Sequence, residues 1–147
     1  MDVGTEWLID AFDCRRDRLA DVDFLHGVCD EIIAALDLHV VGQAQWRQFP
    51  PPGGVTALCL LTESHLSLHT YPEKGVATLN LYCCRARPAW DWEGRLRELL
   101  GARQVSVRMA VRGSMEIAAG QSLPSPGSIA DGRGSRAESE VSREAGP

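Results

Sequence analysis

At 147 residues, with 44% hydrophobic and 24% charged side chains, the chain has the make-up of one globular domain rather than a disordered or fibrous protein. A formal net charge of −5 leaves no basic surplus to neutralise phosphates, which excludes nucleic acid as a partner and leaves small molecules or further copies of the chain. No apolar run approaches the roughly 20 residues that span a bilayer, and the opening Met1-Asp2-Val3-Gly4 lacks the basic region of a signal peptide, so a cytoplasmic protein without membrane contact is expected.

Trp7 to Phe12 reads as a first strand, left through the polar turn Asp13–Asp17. Val22, Leu25, Val28, Ile32 and Leu36 then recur at intervals of three and four, one face of a helix with Asp21 or Asp23 as its cap. His26 and Cys29 on that helix are assigned to surface or core packing, since neither belongs to a liganding cluster. His39 to Gln48 predicts a second strand, and Phe49 with Pro50-Pro51-Pro52 a loop, because prolines cannot donate ladder hydrogen bonds.

Val55–Leu61 reads as a strand rich in buried-type residues, His65–Thr70 and Val76–Tyr82 alternate apolar and polar residues, and Tyr71-Pro72-Glu73-Lys74-Gly75 has hairpin chemistry, which predicts an antiparallel meander. Pro88 to Trp92 opens a second helix with Trp92, Leu96, Leu99 and Leu100 on one face and Gly101 as its stop, and Gln104–Val111 is the last strand. The fold class is therefore α+β: a mainly antiparallel sheet with two helices packed on one face. The uncovered face predicts a dimer, closing into a larger sandwich. Residues 1–119 form the folded domain, and 120–147, rich in Gly, Ser, Pro, Glu and Arg, are expected to be a disordered tail.

Reactive groups concentrate in Thr62-Glu63-Ser64-His65-Leu66-Ser67-Leu68-His69-Thr70-Tyr71-Pro72-Glu73, followed by the vicinal pair Cys83-Cys84. A serine hydrolase would need Ser64 on a Gly-x-Ser-x-Gly elbow, which is absent. His65 and His69 share a strand face but stand roughly 13 Å apart at 3.3 Å per residue, so no metal site is expected from them. The five cysteines (Cys14, Cys29, Cys59, Cys83, Cys84) are odd in number and lack CxxC spacing, which argues against a disulfide framework or structural zinc.

The run Glu63-Ser64-His65-Leu66-Ser67-Leu68-His69-Thr70-Tyr71-Pro72-Glu73, with Gly75 and with Cys84 twenty residues after Ser64, resembles the self-processing segment of the prokaryotic S-adenosylmethionine decarboxylase proenzymes. The resemblance implies that Ser64 Oγ attacks the Glu63 carbonyl, that an acyl shift and β-elimination cut the chain between Glu63 and Ser64, and that Ser64 becomes a covalent pyruvoyl cofactor. It implies a pyruvoyl-dependent carboxy-lyase that holds its substrate amine as a Schiff base and makes the aminopropyl donor for spermidine and other polyamines. The zymogen's catalytic residues would be Ser64, His69 for proton transfer and Cys84 as the acid returning a proton to the product; Cys83 faces the other way on a continuing strand. Thr56 would support processing at the oxyanion. Tyr71, Glu73 and Phe49 would bind substrate, although Phe49 is one residue out of step with the family spacing. Trp7 and Asp10 line the site or merely pack and cap. The partners implied are a small-molecule substrate and a second processed protomer in a homodimer. Asn80 stands where an acidic residue is common, and the opening Glu6-Trp7-Leu8-Ile9-Asp10 departs from the family's Gly-x-His-Leu. An intact core with a changed pocket also fits the same chemistry on arginine or ornithine. A further alternative is an unprocessed homologue acting as a regulatory partner.

Overall fold

A computed structural model describes residues 3–114; the predicted tail, 120–147, lies outside the described residues. The elements run β1 (Gly4–Phe12), α1 (Arg16–Leu19), α2 (Val22–Ala35), β2 (Gln45–Gln48), β3 (Val55–Leu61), β4 (Ser64–Tyr71), β5 (Val76–Cys83), α3 (Trp92–Leu100) and β6 (Gln104–Arg112). The strands make one sheet in the order β2-β3-β4-β5-β1-β6 with every pairing antiparallel, so the α+β expectation holds. The predicted meander is β3-β4-β5, and β1 slots between β5 and β6.

Alternation divides the sheet into two faces. Ile9, Ala11, Ala57, Cys59, Leu66, Leu68, Leu79, Leu81 and Cys83 are buried on the face covered by the helices. Against them lie Leu25, Val28, Cys29 and Ile32 of α2 and Trp92, Leu96 and Leu100 of α3, each series spaced as one helical stripe. Asp21 caps α2 by accepting from the Phe24 N–H, Asp91 caps α3 by accepting from the Gly94 N–H, and Gly101 ends α3 at φ 65°. His26 stacks on Trp46 with ring centroids 3.7 Å apart, and Cys29 is buried, so both residues pack as expected.

The structure adds a short helix, α1, at the end of the expected polar turn and starts β1 at Gly4 rather than Trp7, and two further boundaries differ for local reasons. The strand expected over His39–Gln48 is confined to Gln45–Gln48, with one isolated bridge between Val40 and Leu61, because the chain turns at Gly42 with φ 70°. The second helix starts at Trp92 rather than Pro88, the Asp91 cap setting its origin.

The second face carries Leu58, Leu60, His65, Ser67, His69, Thr78, Asn80 and Tyr82 on its central strands, by strict alternation with the buried set. No helix covers it. Leu58 and Leu60 are 49% and 58% exposed there, which is why the chemistry of this fold must be sought on that side.

Candidate active site

Thr62 and Glu63 form a two-residue turn joining β3 to β4, with Leu61 paired to Ser64. Such tight hairpins favour residues that tolerate positive φ, and this one has neither Gly nor Asn at its tip. The positive angle falls instead on Ser64, at φ 152°, a region costing a side-chain-bearing residue about 1–3 kcal/mol. The peptide bond between Glu63 and Ser64 therefore sits at the most strained point of the hairpin.

Its carbonyl is already gripped. Ser64 lies opposite Cys83 across the β4–β5 ladder, and one residue further on the Cys84 N–H donates to the Glu63 carbonyl oxygen at 3.1 Å. A backbone donor on a carbonyl is the arrangement that would stabilise an oxyanion developing there. Sequence reasoning assigned that task to Thr56 and missed the Cys84 amide, although the register was readable from the hairpin.

The Glu63 side chain is buried on the other side of the turn, with Oε1 2.8 Å from His39 Nδ1 and 3.4 Å from an Arg87 amino group. Burial alone would push this carboxyl up, but hydrogen bonds from the His39 side chain, Thr62 and backbone amides outweigh it and hold the group down at about 2. Neither His39 nor Arg87 was singled out in the sequence, since both lie 24 residues from Glu63. The linkage sign follows from a depressed carboxylate: its contribution is complete above the ordinary value of 4.5 and is lost as pH falls through about 2. In an S64A background that keeps the chain whole, E63Q should lower the urea-derived stability by about 2 kcal/mol at pH 6, a gap that closes on acidification toward pH 2. A gap independent of pH would show that the carboxylate's charge is not what holds the turn.

Ser64 Oγ stands 3.2 Å from Nδ1 of His65. Ser64, His65, Glu63, Tyr82 and Cys84 line a cavity of about 650 Å³ with Leu58 and Leu60. Cys84 is exposed into it while Cys83 is buried on the helix side, so the strand alternation separates the two thiols as expected.

A second cavity of about 330 Å³ opens at the far end of the same strands, lined by Phe49, Gly54, Thr56, His69, Tyr71 and Glu73 among others. Thr56 and His69 face each other across the β3–β4 ladder, Oγ1 to Nδ1 3.1 Å. Four expected site residues thus meet Phe49 in one place, but not at Ser64. Five residues of extended strand put His69 roughly 16 Å from Ser64, beyond proton-transfer reach within one chain. Of the two remaining candidates, Asp10 pairs with Arg108 at 2.6 Å. Trp7 packs partly buried against the hydrophobic core on the helix side and lines neither cavity.

Residues 5–113 match the family model described as S-adenosylmethionine decarboxylase, which is nearly all of the described chain. The chain belongs to the S-adenosylmethionine decarboxylase family. A relative from Symbiobacterium thermophilum, named S-adenosylmethionine decarboxylase proenzyme, is 43% identical over 100 residues, 67% of this chain and 74% of its own. A relative of the same name from Acidithiobacillus ferrooxidans is 32% identical over 117 residues, 78% of this chain and 86% of its own. Among solved structures, the adenosylmethionine decarboxylase from Aquifex aeolicus superposes with a TM-score of 0.67 at 26% identity, covering 82% of this chain and 98% of that one. This decarboxylase-family chain has no helix, among its described residues, long and apolar enough to cross a membrane. Nor do those residues include a group of three or more His, Cys, Asp or Glu placed to hold a metal ion.

Proposed function

We propose that this chain is a self-cleaving, pyruvoyl-dependent decarboxylase of S-adenosylmethionine. The observation that carries the reading is the state of the Glu63–Ser64 peptide: a serine at φ 152° beside an imidazole, and a carbonyl that accepts from the Cys84 N–H. Family relatives named proenzymes support the same conclusion.

The residues present fit a pyruvoyl group derived from Ser64, because that residue opens into the larger cavity with Cys84 on the same wall. Such a group supplies an electron sink for the pair released with carbon dioxide. The chain's own residues do the rest. Ser64 Oγ adds to the Glu63 carbonyl carbon, and the Cys84 amide takes up the charge on oxygen. The Cys84 thiol, on the same wall of the cavity as Ser64, is placed to return a proton to the product carbon.

The two cavities support a homodimer. Each protomer presents Ser64 and Cys84 at one end of the uncovered sheet face and Thr56, His69, Tyr71 and Glu73 at the other. A two-fold contact is isologous, so laying two such faces together antiparallel sets each Ser64 end on its partner's His69 end. Leu58 and Leu60, exposed between the two ends, supply the apolar centre of that contact. Tyr71 and Phe49 offer aromatic faces to an adenine or a sulfonium, and Glu73 an acceptor for ribose hydroxyls. A cytoplasmic setting belongs to the same reading and is supported by five free cysteines.

Denaturing mass spectrometry of the purified protein, with a carbon dioxide release assay on S-adenosylmethionine, arginine and ornithine, tests this. The expected result is two chains, 1–63 and 64–147, the second with a blocked N-terminus, and release from S-adenosylmethionine alone. A single intact chain after prolonged incubation overturns self-processing; release from arginine or ornithine instead overturns the substrate.

A further inference from the structure

Four side chains from four strands continue outward from Ser64 on the open face. His65 Nδ1 is 3.2 Å from Ser64 Oγ, and its Nε2 is 3.1 Å from Asn80 Oδ1. Asn80 Nδ2 donates to Glu6 Oε1 at 2.9 Å, and Arg112 donates to the second Glu6 oxygen. All but Arg112 are at least half shielded, and the chain runs across β4, β5, β1 and β6 without a gap.

The direction of each bond is fixed by its outer neighbour. The Glu6 carboxylate, held ionised by Asn80 first and Arg112 second, can only accept. The Asn80 amide nitrogen must therefore point to Glu6, where it also approaches the Trp7 carbonyl at 3.5 Å. Its oxygen is left facing His65, and an amide oxygen can only accept, so the imidazole must carry its proton on Nε2. In the neutral ring Nδ1 is then a bare lone pair, and the group in front of it is the Ser64 hydroxyl.

We propose that His65 is the base for the acyl shift at Ser64, with Asn80 and Glu6 as positioning residues that hold its tautomer. This rests on the self-processing reading above and assigns the step to the imidazole that already stands 3.2 Å from Ser64 Oγ in its own chain, whereas His69 comes near Ser64 only from the partner of the proposed dimer. The step balances. The Ser64 Oγ–H proton passes to His65 Nδ1 as Oγ bonds to the Glu63 carbonyl carbon. The Glu63 C–N bond then breaks, and the same proton is delivered to the Ser64 nitrogen. Peptide has become ester with no net gain or loss of protons. It also gives a reason for an amide at position 80: a carboxylate there would pair with the ring and favour its protonated form, which cannot accept from serine.

Full-length chain made by cell-free synthesis, with splitting followed over time by denaturing mass spectrometry, tests the proposal. H65A should slow splitting by about 100-fold or more, with partial recovery on adding free imidazole. E6Q keeps the shape of the site but lets Asn80 turn over and place the proton on Nδ1; it should slow splitting about tenfold. N80D should move the pH of half-maximal splitting upward. The charged and titratable groups facing His65 are Tyr82 from β5, Glu6 from β1 with Arg112 behind it from β6, and Cys84, while β3 opposes it with Leu60. N80D also takes the amide donor from Glu6, so the shift is read in an E6Q background, where no second carboxylate stands beside the new one. Splitting of H65A at the parent rate overturns the proposal. So does slow splitting without imidazole rescue, combined with an unmoved N80D profile, since His65 would then only pack. A parent chain that never splits overturns the self-processing reading itself, which the other outcomes leave standing.

Discussion

S64A should yield a single chain of full length with no measurable decarboxylation, a loss of at least four orders of magnitude. The substitution removes the hydroxyl that attacks the Glu63 carbonyl in the proposed reaction, and with it the precursor of the electron sink. It leaves the Cys84 amide, the Glu63 grip and the ladder to Cys83 in place, so the protein should fold, and a methyl group relieves none of the strain at φ 152°. C84A separates the two halves of the chemistry. Its backbone N–H remains on the Glu63 carbonyl, so the chain should still split, whereas loss of the thiol should lower turnover by about 100-fold. Activity surviving in S64A would remove Ser64 from the mechanism altogether; normal turnover in C84A would move the proton donor elsewhere.

The second large effect concerns pairs of chains. H69A alone should be inactive, as S64A is, yet co-expression of the two should restore activity. In a mixed dimer one composite site combines Ser64 and Cys84 of the H69A chain with Thr56 and His69 of the S64A chain, and so is whole. Random pairing makes half of all dimers mixed, each with one of its two sites intact, which predicts about a quarter of the parent activity. A mixture as dead as its components would mean that His69 serves the chain it belongs to, through a rearrangement of β4 that closes a span of roughly 16 Å.

Local patterns carried much of this site. Alternation in His65–Thr70 and Val76–Tyr82 and the turn residues Tyr71-Pro72-Glu73-Lys74-Gly75 placed the meander, because strand faces and hairpins are decided by near neighbours. The same hairpin register that pairs Tyr71 with Val76 runs down to Ser64 opposite Cys83, so the Cys84 amide on the scissile carbonyl was within reach of sequence reasoning. Contacts between distant segments were not. His39 and Arg87 close on Glu63 from loops on either side, and Glu6 reaches Asn80 only because β1 inserts beside β5, a crossover no periodicity reveals. The separation of His69 from Ser64 has another cause: residues adjacent in a motif are 3.3 Å apart per step once the motif is a strand, so a compact string became two distant half-sites.

The strand order has a consequence for the protein after it has been cut. A break at Glu63 assigns β1, β2 and β3 to one fragment and β4, β5 and β6 to the other, yet in the sheet they alternate, with the seams at β3–β4, β5–β1 and β1–β6. Three ladders of hydrogen bonds and a shared core hold the fragments, so the mature protomer persists as an interleaved two-chain complex. Its unfolding, however, releases two separate molecules. Refolding becomes a second-order encounter, the melting temperature acquires a dependence on protein concentration, and a protein that folded as one chain is left with a nearly one-way route out of its native state.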